Sequence, residues 1–175
     1  RMDRFTGAAV SSNPWFNDTS HTDPKVDYFF AKGFRNPFGL RMRPGTNDLW
    51  LFEVGDGWEQ IFLVTPGSRQ GWPTENNTTD SSKLMPKLAY QTNVSTFGGC
   101  ITRGCFYTAS AFPSQYQNNI FFCDYNSGKV MRSVLDSTLK NINSTSVFVT
   151  GNSSLTDIGV GPDGALYYSS HGGTI

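Results

Sequence analysis

The sharpest chemical signal in this 175-residue sequence is an arginine–asparagine pair that stands directly before a predicted strand. Arg35 and Asn36 precede Pro37, where the strand-like residues begin. A guanidinium donates two parallel hydrogen bonds to carboxylates or to neighbouring carbonyl oxygens, so Arg35 suits an acidic ligand. The structural alternative is that Arg35 pairs with Glu53 or Asp56, while Asn36 caps the turn before the proline. The residues alone leave both interpretations open.

A second signal is the turn that follows the next predicted strand. Glu53, Gly55 and Asp56 bring carboxylates and backbone carbonyl groups close together along the chain. Oxygen atoms of this kind are the ligands that a hard cation prefers. A Gly-Asp-Gly turn also forms without a metal, so an ordinary turn explains the pattern equally well.

A β-hairpin is predicted to position these residues. Residues 40–43 and 49–54 alternate apolar and polar side chains around the Pro44-Gly45 turn, which is the pattern of two paired strands. No segment has a clear helical period. The best candidate, 83–88, is interrupted by Pro86, which would break a helix.

The hairpin pattern occurs again near the end of the sequence. Aligning Pro44 with Pro162 places Leu40 over Ile158 at an offset of 118 residues. We interpret this offset as about three repeats of roughly 40 residues, the length of one propeller blade. A poorer third copy is predicted around residues 119–122.

Composition favours the same architecture. The sequence contains 18 glycines, 9 prolines and 14% aromatic residues, which suits many short strands joined by tight turns. A single four-stranded sheet cannot bury both of its faces, whereas sheets stacked around an axis cover one another. A β-sandwich is the main alternative, but it does not require the repeated Pro-Gly hairpin.

These motifs resemble those of the soluble sugar dehydrogenases that depend on pyrroloquinoline quinone (PQQ), the glucose/sorbosone dehydrogenase family, and of the related hedgehog-interacting-protein-like propellers. The similarity extends in family order from about residue 33 to the C-terminus. The matching segments are 35–37, 39–50, 53–55, 59–61, 67–73, 98–105, 120–125, 128–130 and 157–168.

The resemblance implies an all-β fold: a partial six-bladed β-propeller with four-stranded antiparallel blades. Residues 1–32 are expected to be an irregular linker, and residues 33–175 to form about three to four blades of one β-propeller fragment. At roughly 40–50 residues per blade, we expect half to two-thirds of a ring.

The resemblance also implies a cofactor site. In the family, the residues that match Arg35 and Asn36 contact PQQ, and the turn that matches Gly55 and Asp56 offers backbone carbonyls to a Ca²⁺ beneath the quinone. Arg35 and Asn36 are therefore the predicted cofactor-binding residues. Gly55 and Asp56 are the predicted metal ligands.

Other positions depart from the family pattern. Residues 126–128 replace a family lysine, and residues 154–157 keep the aspartate of an R-x-R-D motif but neither arginine. Each lost charge-assisted hydrogen bond is worth up to about 1.5–3 kcal/mol, so weaker quinone binding is expected. His21 and His171 do not match the family's general base and are expected in turns, so no catalytic residue is predicted.

Two functions follow from this comparison. The leading prediction is an extracellular module that binds carbohydrate or protein, or has a structural role, because the quinone-binding cations are reduced in number. The alternative is an active PQQ- and calcium-dependent aldose dehydrogenase. Five aromatic residues are candidates for stacking on sugars, although core packing is the stronger interpretation: Trp50, Trp58, Trp72, Tyr167 and Tyr168.

A secreted glycoprotein is predicted from six Asn-x-Ser/Thr motifs in stretches that resemble loops. Their asparagines are Asn17, Asn76, Asn77, Asn93, Asn143 and Asn152. A disulfide from Cys123 to Cys100 or Cys105 is expected in an oxidising compartment, with buried free thiols as the alternative. The net charge of zero argues against nucleic-acid binding, and no apolar run approaches the roughly 20 residues of a membrane span.

Overall fold

The computed structural model of the chain describes residues 1–75, 77, 79–92 and 97–173. Its regular structure is almost entirely β-strand, with short 3₁₀ helices at Pro24–Tyr28 and Ser114–Tyr116. The ten strands are β1 (Pro37–Met42), β2 (Leu49–Val54), β3 (Trp58–Val64), β4 (Leu88–Gln91), β5 (Ile101–Phe106), β6 (Ile120–Asp124), β7 (Lys129–Leu135), β8 (Ile142–Val149), β9 (Leu155–Val160) and β10 (Leu166–Ser170). Within these ranges, no helix has the length and apolar character needed to cross a membrane.

The strands form two four-stranded antiparallel sheets and one hairpin. Strands β1 to β4 pair in chain order, β5 to β8 do the same, and β9 pairs with β10. Strand β5 contacts β1 on one side and β9 on the other, so the first strands of three successive sheets are neighbours. The prediction of an all-β fold with stacked antiparallel sheets is confirmed. The two hairpins aligned by sequence belong to different sheets, as predicted.

The predicted repeat length is wrong. Strand β1 begins at residue 37, β5 at residue 101 and β9 at residue 155, so the sheets repeat after 64 and 54 residues. The offset of 118 residues therefore spans two sheets rather than three. Long connections at residues 65–87, between β3 and β4, and at 107–119, between β5 and β6, account for the extra length.

The first and second sheets share a core of aromatic side chains. Trp50 and Phe52 of β2 pack against Phe106 and Phe122 of the second sheet, with ring centroids 5.8 Å and 6.3 Å apart respectively. Gly104 allows this close approach, because a Cβ atom there would lie 2.4 Å from Cζ of Phe52. Burying one such side chain contributes about 1.5–3 kcal/mol, so packing between sheets is a principal source of stability.

The third hairpin packs on the second sheet in a corresponding way. Leu155 and Ile158 of β9 are buried in a cluster that contains Phe121 of β6. The hydroxyl of Tyr107 donates to the carbonyl of Gly164, in the β9–β10 turn, at 2.8 Å. Each sheet therefore buries one face against the next, as the stacked arrangement requires.

The expected disulfide is not present, because all three cysteines are free. Cys105 lies opposite Phe121, so Cys123 is two residues farther along β6 and diagonal to Cys105. Diagonal neighbours are separated by about 7–8 Å, which exceeds the usual Cα separation of about 4.4–6.8 Å in disulfides. Cys105 and Cys123 are instead buried in one apolar cluster.

The predicted glycosylation sites have different surroundings. Asn17 is exposed in a turn, whereas Asn143 is exposed within β8 rather than in a loop. Nδ2 of Asn152, the atom to which a glycan would be joined, is buried, which disfavours that site. Asn76, Asn93 and part of the Asn77 motif lie outside the described residues.

Candidate functional site

The three sheets share a common backbone arrangement where their first strands begin. In each, the residue before the first strand accepts a hydrogen bond from a residue at the end of the second strand or just after it. These bonds join Val54 to Asn36 at 3.1 Å, Tyr125 to Cys100 at 2.8 Å and His171 to Ser154 at 2.8 Å. We call this region the upper end; it comprises residues 35–36, 99–100 and 153–154 with the turns 55–57, 125–128 and 171–173. Arg35 and Asn36 therefore begin one of three equivalent segments.

A buried carboxylate holds the backbone of the predicted cofactor-binding pair. Glu53, in β2, is 1% exposed. Its Oε1 accepts the backbone N–H of Arg35, and its Oε2 accepts Nε2 of Gln60 at 3.2 Å. Burial raises the pKa of Glu53 to about 7, although hydrogen bonds from the backbone N–H groups of Arg35 and Asn36 oppose that rise. Glu53 thus fixes where this segment enters the sheet.

The side chain of Arg35 contacts an aromatic ring and a backbone carbonyl group. The guanidinium lies over the ring of Trp72, with Cζ 5.5 Å from the ring centroid, and Nη1 is 3.4 Å from the carbonyl oxygen of Val54. Glu53 meets the backbone of Arg35 rather than its guanidinium. Arg35 and Asn36 are both exposed, so their donor groups are accessible to a ligand.

Backbone hydrogen bonds hold the segment that carries Trp72 against residues 32 and 33. The N–H of Trp72 donates to the carbonyl of Gly33 at 3.0 Å, and the N–H of Gln70 donates to the carbonyl of Lys32 at 2.9 Å. Gly33 has a φ of +85°, and a Cβ atom there would lie 2.1 Å from the Gln70 carbonyl oxygen, so glycine is required. The sequence pointed to Trp72 as a core or sugar-stacking residue and did not indicate this supporting role.

The predicted metal ligands lie in the turn between β2 and β3. Gly55 is buried, and a Cβ atom on it would lie 2.0 Å from the carbonyl oxygen of Trp58. Asp56 and Gly57 are exposed at the tip of the turn. The turn offers a carboxylate and backbone oxygens, but the described ranges contain no group of three or more His, Cys, Asp or Glu side chains placed to hold a metal. Calcium binding at Gly55 and Asp56 stays a prediction.

Two more buried acids hold the segment that enters β5. Oε2 of Glu59 accepts the N–H of Ile101 at 2.8 Å, which joins the first sheet to the second. Asp124, at the end of β6, accepts the N–H of Cys100 at 2.8 Å. Both acids are fully buried, and burial raises the pKa of Glu59. The sequence motifs included Glu53, Glu59 and Asp124, but only the tertiary structure shows that each accepts a backbone N–H.

The positions that lack the family cations also lie at or near the upper end. The Asn126 side chain donates to the carbonyl of Gly99 at 3.3 Å. Asp157 in β9 instead receives two arginines from other sheets. Its carboxylate binds Arg41 of β1 at 2.8 Å and Arg103 of β5 at 3.2 Å. Asp157 therefore joins the first strands of three successive sheets.

The two histidines have ordinary polar partners. Nδ1 of His171 is 2.8 Å from the hydroxyl of Tyr125, which links the turns of two neighbouring sheets at the upper end. Nε2 of His21 is 3.6 Å from Asp18 in the irregular N-terminal region. Among the aromatic candidates for sugar stacking, Trp50 is fully buried in the core, whereas Tyr167 is 48% exposed.

The chemistry of the donor groups at the upper end suits an acidic ligand. Arg35 and Asn36 are adjacent in the chain and exposed, and a buried acid binds the backbone of Arg35. A guanidinium supported by an aromatic ring is well oriented for carboxylates and paired carbonyl oxygens. Arg35 and Asn36 therefore fit a planar, acidic quinone.

Comparisons with known proteins agree with the motifs. The family described as Glucose / Sorbosone dehydrogenase matches residues 1–174. Aldose sugar dehydrogenase YliI of Escherichia coli (strain K12) is 26% identical over 177 residues, covering 92% of this chain and 44% of that protein.

Solved structures show the same fold. A putative glucose dehydrogenase from Thermus thermophilus matches with a TM-score of 0.74 at 23% identity, over 94% of this chain and 46% of that one. The apo form of soluble aldose sugar dehydrogenase from Escherichia coli gives a TM-score of 0.71 at 21% identity, over 93% and 48% of the two chains. The PQQ-bound aldose sugar dehydrogenase from Streptomyces coelicolor gives 0.69 at 18% identity, over 94% and 43%.

The chain spans less than half the length of these relatives. The part of the resemblance that concerns hedgehog-interacting-protein-like propellers stays a prediction. Because the family match extends over nearly the whole chain and the stacked sheets agree with it, this chain belongs to the glucose/sorbosone dehydrogenase family.

Proposed function

We propose that this chain forms the quinone-holding part of a PQQ-dependent aldose dehydrogenase. The observation that carries the proposal is the exposed Arg35–Asn36 pair, whose backbone the buried Glu53 holds at the upper end of the sheets. A known relative is an aldose sugar dehydrogenase, and a structural relative binds PQQ. This support favours the dehydrogenase over the binding or structural module that the sequence placed first.

In this proposal, the chain's residues bind and orient the cofactor. Arg35 donates hydrogen bonds to an acidic edge of the quinone, and Asn36 donates from its amide beside it. Trp72 supports the guanidinium, so little side-chain entropy is lost when the ligand binds. When bound, PQQ supplies a hydride acceptor for the anomeric carbon of the sugar. The base that removes the sugar hydroxyl proton is not assigned to this chain.

Calcium and the complete ring are further parts of the proposal. The exposed Asp56 and the backbone oxygens of the 55–57 turn supply hard oxygen ligands next to Arg35. The two four-stranded sheets and the hairpin correspond to part of a six-bladed ring. An extracellular location, with glycans at exposed sites such as Asn17 and Asn143, completes the proposed setting.

Reconstitution tests the function directly. The purified protein is incubated with PQQ and Ca²⁺, passed through a gel-filtration column, and examined for retained quinone absorbance. An electron-accepting dye and a series of aldoses then measure activity. We expect stoichiometric retained quinone and aldose-dependent dye reduction.

Two arginine variants make the test specific. Arg35→Ala removes the proposed quinone donor, whereas Arg132→Ala removes an arginine of β7 that binds Asn119 and stacks on Tyr116. We expect Arg35→Ala to lose at least about tenfold in quinone affinity and Arg132→Ala to keep it. Failure of the wild-type protein to retain any quinone would end the dehydrogenase proposal.

A further inference from the structure

Glu53 binds the backbone of the proposed quinone-binding segment. Its carboxylate accepts the backbone N–H of Arg35 and the Nε2 group of Gln60, and the backbone N–H of Asn36 is near enough to lower the pKa of Glu53. The residue is 1% exposed, so water does not compete for these donors. A buried carboxylate bonded to the first of two consecutive N–H groups and close to the second restrains the backbone from which both side chains extend.

Buried carboxylates also hold the start of the second sheet, but there they hold a different segment. Glu59, a neighbouring buried glutamate, accepts the N–H of Ile101 and the hydroxyl of Thr92. It therefore holds the start of β5 and not the arginine–asparagine pair. The two glutamates match in residue type and burial and differ in the segment that each one holds.

We infer that Glu53 is a positioning residue that orients Arg35 and Asn36 toward the quinone. The inference rests on the proposed function. Glu53 is buried and does not touch the ligand; it acts through the backbone of the two residues that do. Without Glu53, the donor groups of Arg35 and Asn36 would shift. A displacement of about 1 Å at a binding group can lower the rate a hundredfold.

Three substitutions separate positioning from stability. Glu53→Met keeps the length of the side chain but removes both acceptor oxygens, whereas Glu53→Gln keeps one. Glu59→Met is the matched control, because it makes the same change at a buried glutamate that holds a different segment. Urea unfolding of each variant identifies conditions in which all of them are folded.

The first readout is independent of any ligand. Hydrogen exchange of the Arg35 and Asn36 amides should become at least about tenfold faster in Glu53→Met and remain at the wild-type rate in Glu59→Met. The second readout is a PQQ titration with Ca²⁺ present. We expect Glu53→Met to weaken quinone binding at least about tenfold, Glu53→Gln to retain part of the affinity, and Glu59→Met to stay within about twofold of the wild type.

The outcomes divide clearly. A wild-type protein that binds no quinone refutes the proposed function, and the positioning role with it. A wild-type protein that binds quinone while Glu53→Met binds equally well refutes the positioning role and leaves the function intact. Equal losses in Glu53→Met and Glu59→Met show a general effect of buried glutamates on stability, which also refutes the positioning role. Loss confined to the Glu53 variants supports it.

Discussion

Arg41 on β1 binds Asp157 on β9 at 2.8 Å, although these strands belong to different sheets and β5 lies between them. Arg103 of β5 binds the second oxygen of the same carboxylate at 3.2 Å. One aspartate therefore joins the first strands of three successive sheets. The sequence indicated only that this aspartate is kept where two family arginines are absent.

Replacing Asp157 should loosen the stacking of the sheets. Asp157→Asn leaves two guanidiniums without a counter-charge, and we expect it to lower the free energy of unfolding by about 1 kcal/mol at low salt. Because these side chains are partly exposed, the loss should shrink in about 1 M salt. Urea unfolding at both ionic strengths measures the effect. Equal stability of the two proteins at low salt would show that the cluster contributes nothing.

Gly104 should not tolerate a side chain. An alanine Cβ there would lie 2.4 Å from Cζ of Phe52 and 2.9 Å from the carbonyl oxygen of Phe121. We expect Gly104→Ala to cost about 1–3 kcal/mol through overpacking. Gly159→Ala is the matched control, because no atom lies within 4 Å of its Cβ position, and it should change stability by less than about 1 kcal/mol. The midpoints of urea unfolding measure the stability of both variants. Similar losses of stability at the two glycines would contradict the described contact between sheets.

Glu53 should make stability depend on pH in the neutral range. Its pKa is about 7 in the folded chain, above its ordinary value, because burial disfavours the charged form. Between roughly pH 4.5 and 7 the folded state therefore binds more protons than the unfolded state. The contribution of Glu53 to stability is present below this window and falls as pH rises through it, by an amount on the order of 3 kcal/mol.

The pH effect is measured as a difference between two proteins. Urea unfolding at several pH values gives the stability of the wild type and of Glu53→Gln, which cannot titrate. The wild type should lose stability relative to the variant as pH rises to about 7, with no further relative change above it. Parallel curves would mean that Glu53 titrates normally in the folded protein.

Cys105 and Cys123 should be unreactive in the folded protein, and all three thiols should be free after unfolding. Burial raises the pKa of Cys105 to about 12 and raises that of Cys123 as well, so few thiolates form near neutral pH. Iodoacetamide should label these two residues slowly in buffer. Denaturation without a reductant should expose three titratable thiols. Recovery of only one free thiol would show that the disulfide predicted from the sequence does form.

Much of the fold is visible in the sequence because it depends on local patterns. Alternation around Pro44-Gly45 and its return at Pro162 predicted two hairpins in different sheets, and the structure has both. The repeat length was wrong because long connections leave no periodic signal. The disulfide was wrong because the pairing of β5 with β6 places Cys105 opposite Phe121, two residues from Cys123, and residue spacing does not show which residues are paired.

The candidate site was predicted in part for the same reason. Arg35 and Asn36 are adjacent in the sequence, and the structure presents them together and exposed. Glu53 and Trp72, which hold the backbone and the guanidinium, are distant in the sequence and meet this pair only after folding. Sequence patterns identify groups that can bind a ligand more readily than the groups that position them.

Chemical footprinting of arginine tests the central claim most directly. The protein is treated with phenylglyoxal, with and without PQQ and Ca²⁺, and each arginine is quantified by peptide mass spectrometry. We expect quinone to protect Arg35, whereas Arg41 and Arg103, which are paired with Asp157, should react at unchanged rates. Modification of Arg35 at the same rate with quinone bound would contradict the assignment of the upper end as the cofactor site.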